Sequence, residues 1–196
     1  MPGTADELLT SAVALAQRAF GAAACSVALL DGDGEHLVFT AAEGDGASEV
    51  VGLRLPVSRG IAGWVVSSGQ PIAVDQVQRD PRFARDVAES TGYVPRTILA
   101  APVETADSVL GVIEVLDRTP VAQRDDLGLL SLVAHQLALG LELDRRTSEL
   151  SSAGGPAGQL AGALADLGAS EQRTALDLVR VFADHVRRSG GPARVV

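Results

Sequence analysis

The sequence predicts an α+β fold: an antiparallel sheet of about five to six strands, flanked by N- and C-terminal helices and followed by a helical tail. Three observations carry this. Long apolar stripes at the helical period stand near the two ends, over 5–20 and beyond 120. Two pairs of short apolar runs, within 25–42 and 97–116, are each broken by a polar turn, the mark of hairpins. Between the hairpins, 58–75 reads as a short helix, a glycine stop and a short strand, a unit suited to roof a sheet and leave a pocket beneath.

The helix over 1–21 opens on Thr4, Ala5, Asp6 and Glu7, a pattern predicting a capping box. Leu8, Leu9, Ala12, Val13, Ala16, Ala19 and Phe20 form its stripe, and Gly21 stops it. Residues 25–30 and 35–42 are predicted strands around the turn Asp31-Gly32-Asp33-Gly34. Asp31, Asp33 and Glu35 have the spacing that opens a calcium loop. His36 stands where the required glycine belongs and Ala42 where the glutamate does, so the turn reading is preferred. Residues 43–48 read as a polar glycine-rich loop and 51–55 as a strand with one buried face.

In the central unit, Ser58 is expected to cap a helix whose apolar face is Ile61, Trp64 and Val65. Gly69 suits a left-handed helix end, Pro71 forbids continuation, and Ile72, Ala73 and Val74 make a strand. Segment 76–93 is irregular, with a short helix expected to start at Asp80 and Pro81. Residues 97–103 and 109–116 form the second hairpin. The latter is nearly all apolar and reads as a central strand except at Glu114, which is either hydrogen-bonded or ligand-facing, or else at a solvated sheet face. One helix is predicted over 120–150 with Thr119 as cap. Its roughly 45 Å is more than a small domain needs. The domain core is thus 22–150, followed by a flexible linker at 151–158, a helical tail at 159–189 and a disordered end at 190–196.

The roof unit, Asp80-Pro81-Arg82-Phe83 and the order of elements resemble the GAF domain family over about 5–148. That resemblance implies a GAF/PAS-like sheet, a non-catalytic sensory or regulatory role, and a ligand pocket walled by 76–93. Trp64, Phe83, Tyr93, Ile98 and Glu114 are the pocket residues it suggests, with Arg96 as an anion contact; core packing is the competing reading of Trp64 and Phe83. Members that bind cyclic nucleotides carry a motif whose matching positions here are Asp117-Arg118, Val121 and Asp125-Asp126. Only Asp125 matches outright, which favours a structural latch between Arg118 and Asp125 or Asp126.

The 196 residues carry a net charge of −9, and no basic run exceeds two residues, so nucleic acid is not expected as a partner. Every basic side chain is Arg, a composition suggesting a high-GC bacterial genome of actinobacterial type. The lone Cys25 permits no intrachain disulfide and is expected to pack as a small apolar residue, in keeping with a reducing cytoplasm. No uninterrupted apolar window of 18 residues is present, so no membrane span is expected. His36, His135 and His185 sit in no catalytic motif, and no enzyme, metal or named cofactor is inferred. The expected partners are a second copy of the chain, a small-molecule ligand and a protein of the signalling pathway. The alternative is an interaction module whose pocket is filled by its own side chains.

Overall fold

The computed structural model describes residues 3–120 and 125–151, without the side chains of 150 and 151. The chain divides into two compact units, Met1–Asp144 and Arg145–Val196. The described part of the second is a helix end in which Arg145 pairs with Glu149 one turn on. The tail and terminal residues expected over 159–196, and the linker beyond Ser151, lie outside the described residues.

The first unit is built on a six-stranded antiparallel sheet in the order β3-β2-β1-β6-β5-β4. Its strands are β1 (Ala24–Leu30), β2 (His36–Gly44), β3 (Arg54–Pro56), β4 (Ile72–Val74), β5 (Ile98–Glu104) and β6 (Val109–Leu116). The helices are α1 (Thr4–Phe20), α2 (Ala47–Val50), α3 (Gly60–Ser68), α4 (Arg85–Ser90) and α5 (Asp126–Ser151), with a 3-10 turn at Val77–Arg79. β1 and β6 are central and buried on both faces, which is why their sequences lack a clean polar alternation.

The sheet separates two apolar layers. On one face Val13 and Phe20 of α1 and Leu130, Ala134, Leu137 and Ala138 of α5 meet Cys25, Val27, Ile113 and Val115. On the other, Ile61, Ala62 and Val65 of α3 meet Phe39, Leu55, Ile98 and Val112. A side chain as large as Phe20, fully buried, contributes about 2–3 kcal/mol. Gly63 lets α3 sit low on the β3–α3 connection: a Cβ there would lie 2.4 Å from the Val57 carbonyl oxygen.

Several starts and caps differ from expectation. The N-cap of α1 is Gly3, whose N–H donates to the Asp6 carboxylate at 3.1 Å; Thr4 is already helical. Residues 47–50 form the short helix α2 rather than a loop, so the strand expected over 51–55 shrinks to β3. Arg59, not Ser58, occupies the N-cap position of α3, without a side-chain cap bond. The Asp80 side chain does not start a helix; it accepts from the Arg82 backbone and guanidinium, and α4 begins at Arg85. Thr119 does not cap α5. Its hydroxyl donates to the Gly21 carbonyl, while Asp125 caps α5 by accepting from the Gly128 N–H at 2.9 Å. Leu132 and Leu139 of α5 are exposed.

Asp126–Glu149 is long and apolar enough to cross a membrane by length and composition alone. Its inner stripe is nevertheless committed to the sheet through Leu130, Ala134, Leu137 and Ala138, as in the core helix of a domain.

Candidate functional site

A cavity of about 100 Å³ lies between the sheet and the roof formed by α3 and α4. Its floor follows from strand register. Ser26 pairs with Ala42 of β2 and Glu114 of β6, and Glu114 pairs with Ala100 of β5. The neighbouring row is Ala24, Leu116 and Ile98. Because strand side chains alternate between faces, Cys25 and Val27 join the helical layer while Ala24 and Ser26 face the cavity. The space exists because so many of its walls are short: Ala24, Ser26 and Ala42 below, Ala62, Ala84 and Ala88 above. Phe39, Ile61, Phe83 and Val87 complete an apolar enclosure.

Glu114 is the anomaly in this lining. It is 8% exposed, and among the described residues its carboxylate has no hydrogen-bond or ionic partner. Burial alone pushes its pKa up to about 7 from an ordinary 4.5. Ser26, its cross-strand neighbour, is 6% exposed, and its hydroxyl likewise has no partner among the described residues. Buried polar groups are normally satisfied, so two adjacent unsatisfied ones facing one cavity set it apart from ordinary core. Burial, followed by the nearby Glu114 charge, pushes the Cys25 thiol up to about 12, and such a thiol is a poor nucleophile.

The edge of the cavity is held by Asp117. This residue takes a left-handed backbone, φ 50°, uncommon outside glycine. Its carboxylate accepts from the Tyr93 hydroxyl at 2.5 Å and from the backbone N–H groups of Arg96 and Thr97 at 2.9 and 2.8 Å. Burial raises the Asp117 pKa, but these donors and the Arg96 charge outweigh it and leave the group below its ordinary value. Burial, then the bond to Asp117, raises the Tyr93 pKa. Gly46, at φ 72°, packs at this mouth, where a Cβ would lie 3.1 Å from that of Tyr93.

Four of the six residues singled out from the sequence, Phe83, Tyr93, Ile98 and Glu114, line this one cavity. Trp64 and Arg96 do not. Trp64 of α3 is half-buried and packs against the core between α3 and the sheet, with the Arg82 guanidinium 4.6 Å from its ring centroid. Arg82 is itself clamped by Asp80, and Arg59 reaches Asp86 at 2.8 and 3.0 Å, so the roof is pinned by two Arg–Asp pairs. Arg96 is exposed: its backbone N–H donates to Asp117 and its charge helps hold that carboxyl down, but its side chain does not line the cavity. Ser26, Phe39 and the alanines were missed because nothing local shows which face of a buried strand looks onto a cavity.

The exit of β6 ties the cavity to both end helices. Leu116 lines the cavity, Arg118 Nε binds the Asp126 carboxylate at 2.7 Å at the start of α5, and Thr119 N–H donates to Phe20 O at the end of α1. Asp31, Asp33 and His36 also cluster, in the exposed first turn. Their carboxylates are engaged by Arg54, by backbone N–H groups and by the His36 ring.

A family model described as GAF domain matches residues 4–141. The probable 3',5'-cyclic phosphodiesterase pde-5 of Caenorhabditis elegans is 34% identical over 87 residues, 44% of this chain and 11% of that protein. The chain therefore spans only about a tenth of that curated relative. The GAF domain of a phosphoenolpyruvate-protein phosphotransferase (ptsP) from Coxiella burnetii superposes with TM-score 0.66 at 21% identity, covering 76% of this chain and 88% of that one. The GAF-B domain of DevS from Mycobacterium smegmatis gives 0.61 at 20%, covering 75% and 99%. A free methionine-R-sulfoxide reductase from Neisseria meningitidis, in complex with its substrate, gives 0.60 at 22%, covering 73% and 81%. Identities this low show a shared fold alone.

Proposed function

The chain belongs to the GAF domain family, and from that premise we propose that it is a non-catalytic regulatory module: it holds a small molecule between sheet and roof and signals occupancy through α1 and α5. The observation that carries this is the unpartnered pair Glu114 and Ser26 at the floor of a roofed cavity. A pocket filled by its own side chains would leave no such space. Regulation is preferred to catalysis because the lining holds no histidine and the neighbouring Ser26 and Glu114 have no third group among the described residues to orient them. The phosphodiesterase and reductase activities belong to the named relatives.

The route to the helices is short. A ligand on Glu114 acts on β6, whose next turn, residues 117–119, touches the end of α1 and the start of α5. Leu15, Leu132, Leu139 and Leu143 expose apolar surface on these helices, and the last three follow a seven-then-four spacing suited to a helical seam. A homodimer through that seam is the second part of the reading, within a reducing cytoplasm in keeping with the unpaired Cys25.

Two measurements test it. Filling the cavity by Ala88→Leu should abolish ligand-dependent thermal shifts in a metabolite screen while the fold is kept. Leu132→Asp with Leu139→Asp should convert a sedimenting dimer to monomer. A screen in which no compound raises the wild-type midpoint, or a monomeric wild type, removes the corresponding half of the proposal.

A further inference from the structure

Resting on the cavity reading above, we propose that the ligand is a small cation, a compact ammonium-type group that docks on Glu114 and Ser26 with its apolar remainder under the roof. The floor supplies an acceptor pair: Glu114 and Ser26 are cross-strand neighbours, both more than nine-tenths buried and both without a partner among the described residues. An ammonium donates up to three hydrogen bonds and carries the charge that a buried carboxylate lacks.

The lining itself disfavours the opposite sign. The other ionisable residues at the lining are Asp45 and Tyr93 at the rim, with Cys25 and its cross-strand partner Glu43 turned to the opposite face of the sheet, and none of them is basic. α3 and α4 contribute only apolar or small residues to the lining, apart from the hydroxyl of Thr91, which donates to Ala88 O. The guanidinium groups of the roof are committed, Arg59 to Asp86 and Arg82 to Asp80, and Arg96, whose charge acts on Tyr93 and Asp117 at the mouth, is exposed and does not line the cavity. An anion at the floor would therefore meet the Glu114 carboxylate without a counter-charge on the lining, and a wholly apolar guest would leave Glu114 unsatisfied. Phe39 and Phe83 add aromatic surface, which suits a cation. The cavity volume of about 100 Å³ limits the buried part to on the order of half a dozen non-hydrogen atoms.

The test compares three probes of one size and different charge, n-butylammonium, n-butanol and butyrate, by calorimetry and backbone amide NMR at pH 8 on the full chain. Butylammonium should bind most tightly, about tenfold or more ahead of butanol, as expected for a charge-assisted hydrogen bond, with shifts at Ser26 and Glu114. In Glu114→Gln that lead should collapse to about twofold or less while butanol binding persists, and Ser26→Ala should give a smaller loss. Persistence of butanol binding, with an unchanged amide spectrum, shows that the variants are folded. Butyrate binding as tightly as butylammonium, or a lead that survives Glu114→Gln, overturns the cation assignment and leaves the cavity reading in place. Silence from all three probes at every cavity amide overturns both.

Discussion

Replacing Glu114 by Gln should make the protein more stable, and only at the pH where the glutamate would be charged. The folded chain holds this proton with a pKa of about 7, against 4.5 ordinarily. Between those values the folded state binds more protons than the unfolded one, so stability falls as pH rises through the window and levels off above it. At about 1.4 kcal/mol per pKa unit the loss is roughly 3 kcal/mol. Below pH 4.5 both states carry the neutral acid, and a buried amide of the same shape costs about the same. Wild type and Glu114→Gln should therefore unfold alike at pH 4, and differ by roughly 3 kcal/mol at pH 8. With a urea slope of about 1–3 kcal/mol per molar, the midpoint should move up by at least about 1 M. Trp64, the only tryptophan, sits in the roof of the same unit and reports the transition by fluorescence. The carboxyls of Asp33, Asp80, Asp86 and Asp117, held below their ordinary values, titrate under both chains alike and cancel in the difference. The Cys25 thiol, pushed up to about 12, ionises outside the window. A stability difference that stays flat from pH 4 to pH 8 would refute a desolvated, unpaired carboxylate at this place.

Other consequences are open to measurement. Gly63→Ala sets a Cβ 2.4 Å from a backbone oxygen, and denaturation should show a loss of about 1–3 kcal/mol from overpacking; neutrality would mean that α3 is free to lift. Arg118→Ala strips a 2.7 Å partner from a buried Asp126 and should cost about 2 kcal/mol, with faster amide exchange in the first turn of α5. Cys25 should resist a thiol reagent at pH 8 in the folded chain and react fully in urea, because burial suppresses its thiolate. If it labels at the same rate in both states, the first strand is not where it has been placed.

Much of this architecture was legible before any coordinates. The apolar runs over 109–116 and 97–103 read as strands, the glycine after Ser68 reads as a helix end, and the resemblance to the GAF family implied a latch from Arg118 to Asp125 or Asp126, which closes on Asp126. Caps were less legible: Thr4, Ser58 and Thr119 are good cap residues by type, but Gly3, Arg59 and Asp125 hold those positions. Cap preference is worth about 1 kcal/mol, and tertiary packing of the helix face outweighs it.

The sequence by itself determined which segments are apolar, where the chain must turn and that a lone carboxylate interrupts a central strand. Periodicity is a local property and survives any arrangement of the neighbours. Only the tertiary structure decided which side of the sheet that carboxylate faces, that Ser26 stands opposite it, and that Trp64 and Arg96 look away. The first two depend on the register between strands distant in the chain, and a one-residue slip would reverse both; the last is set by how α3 and the loop before β5 pack.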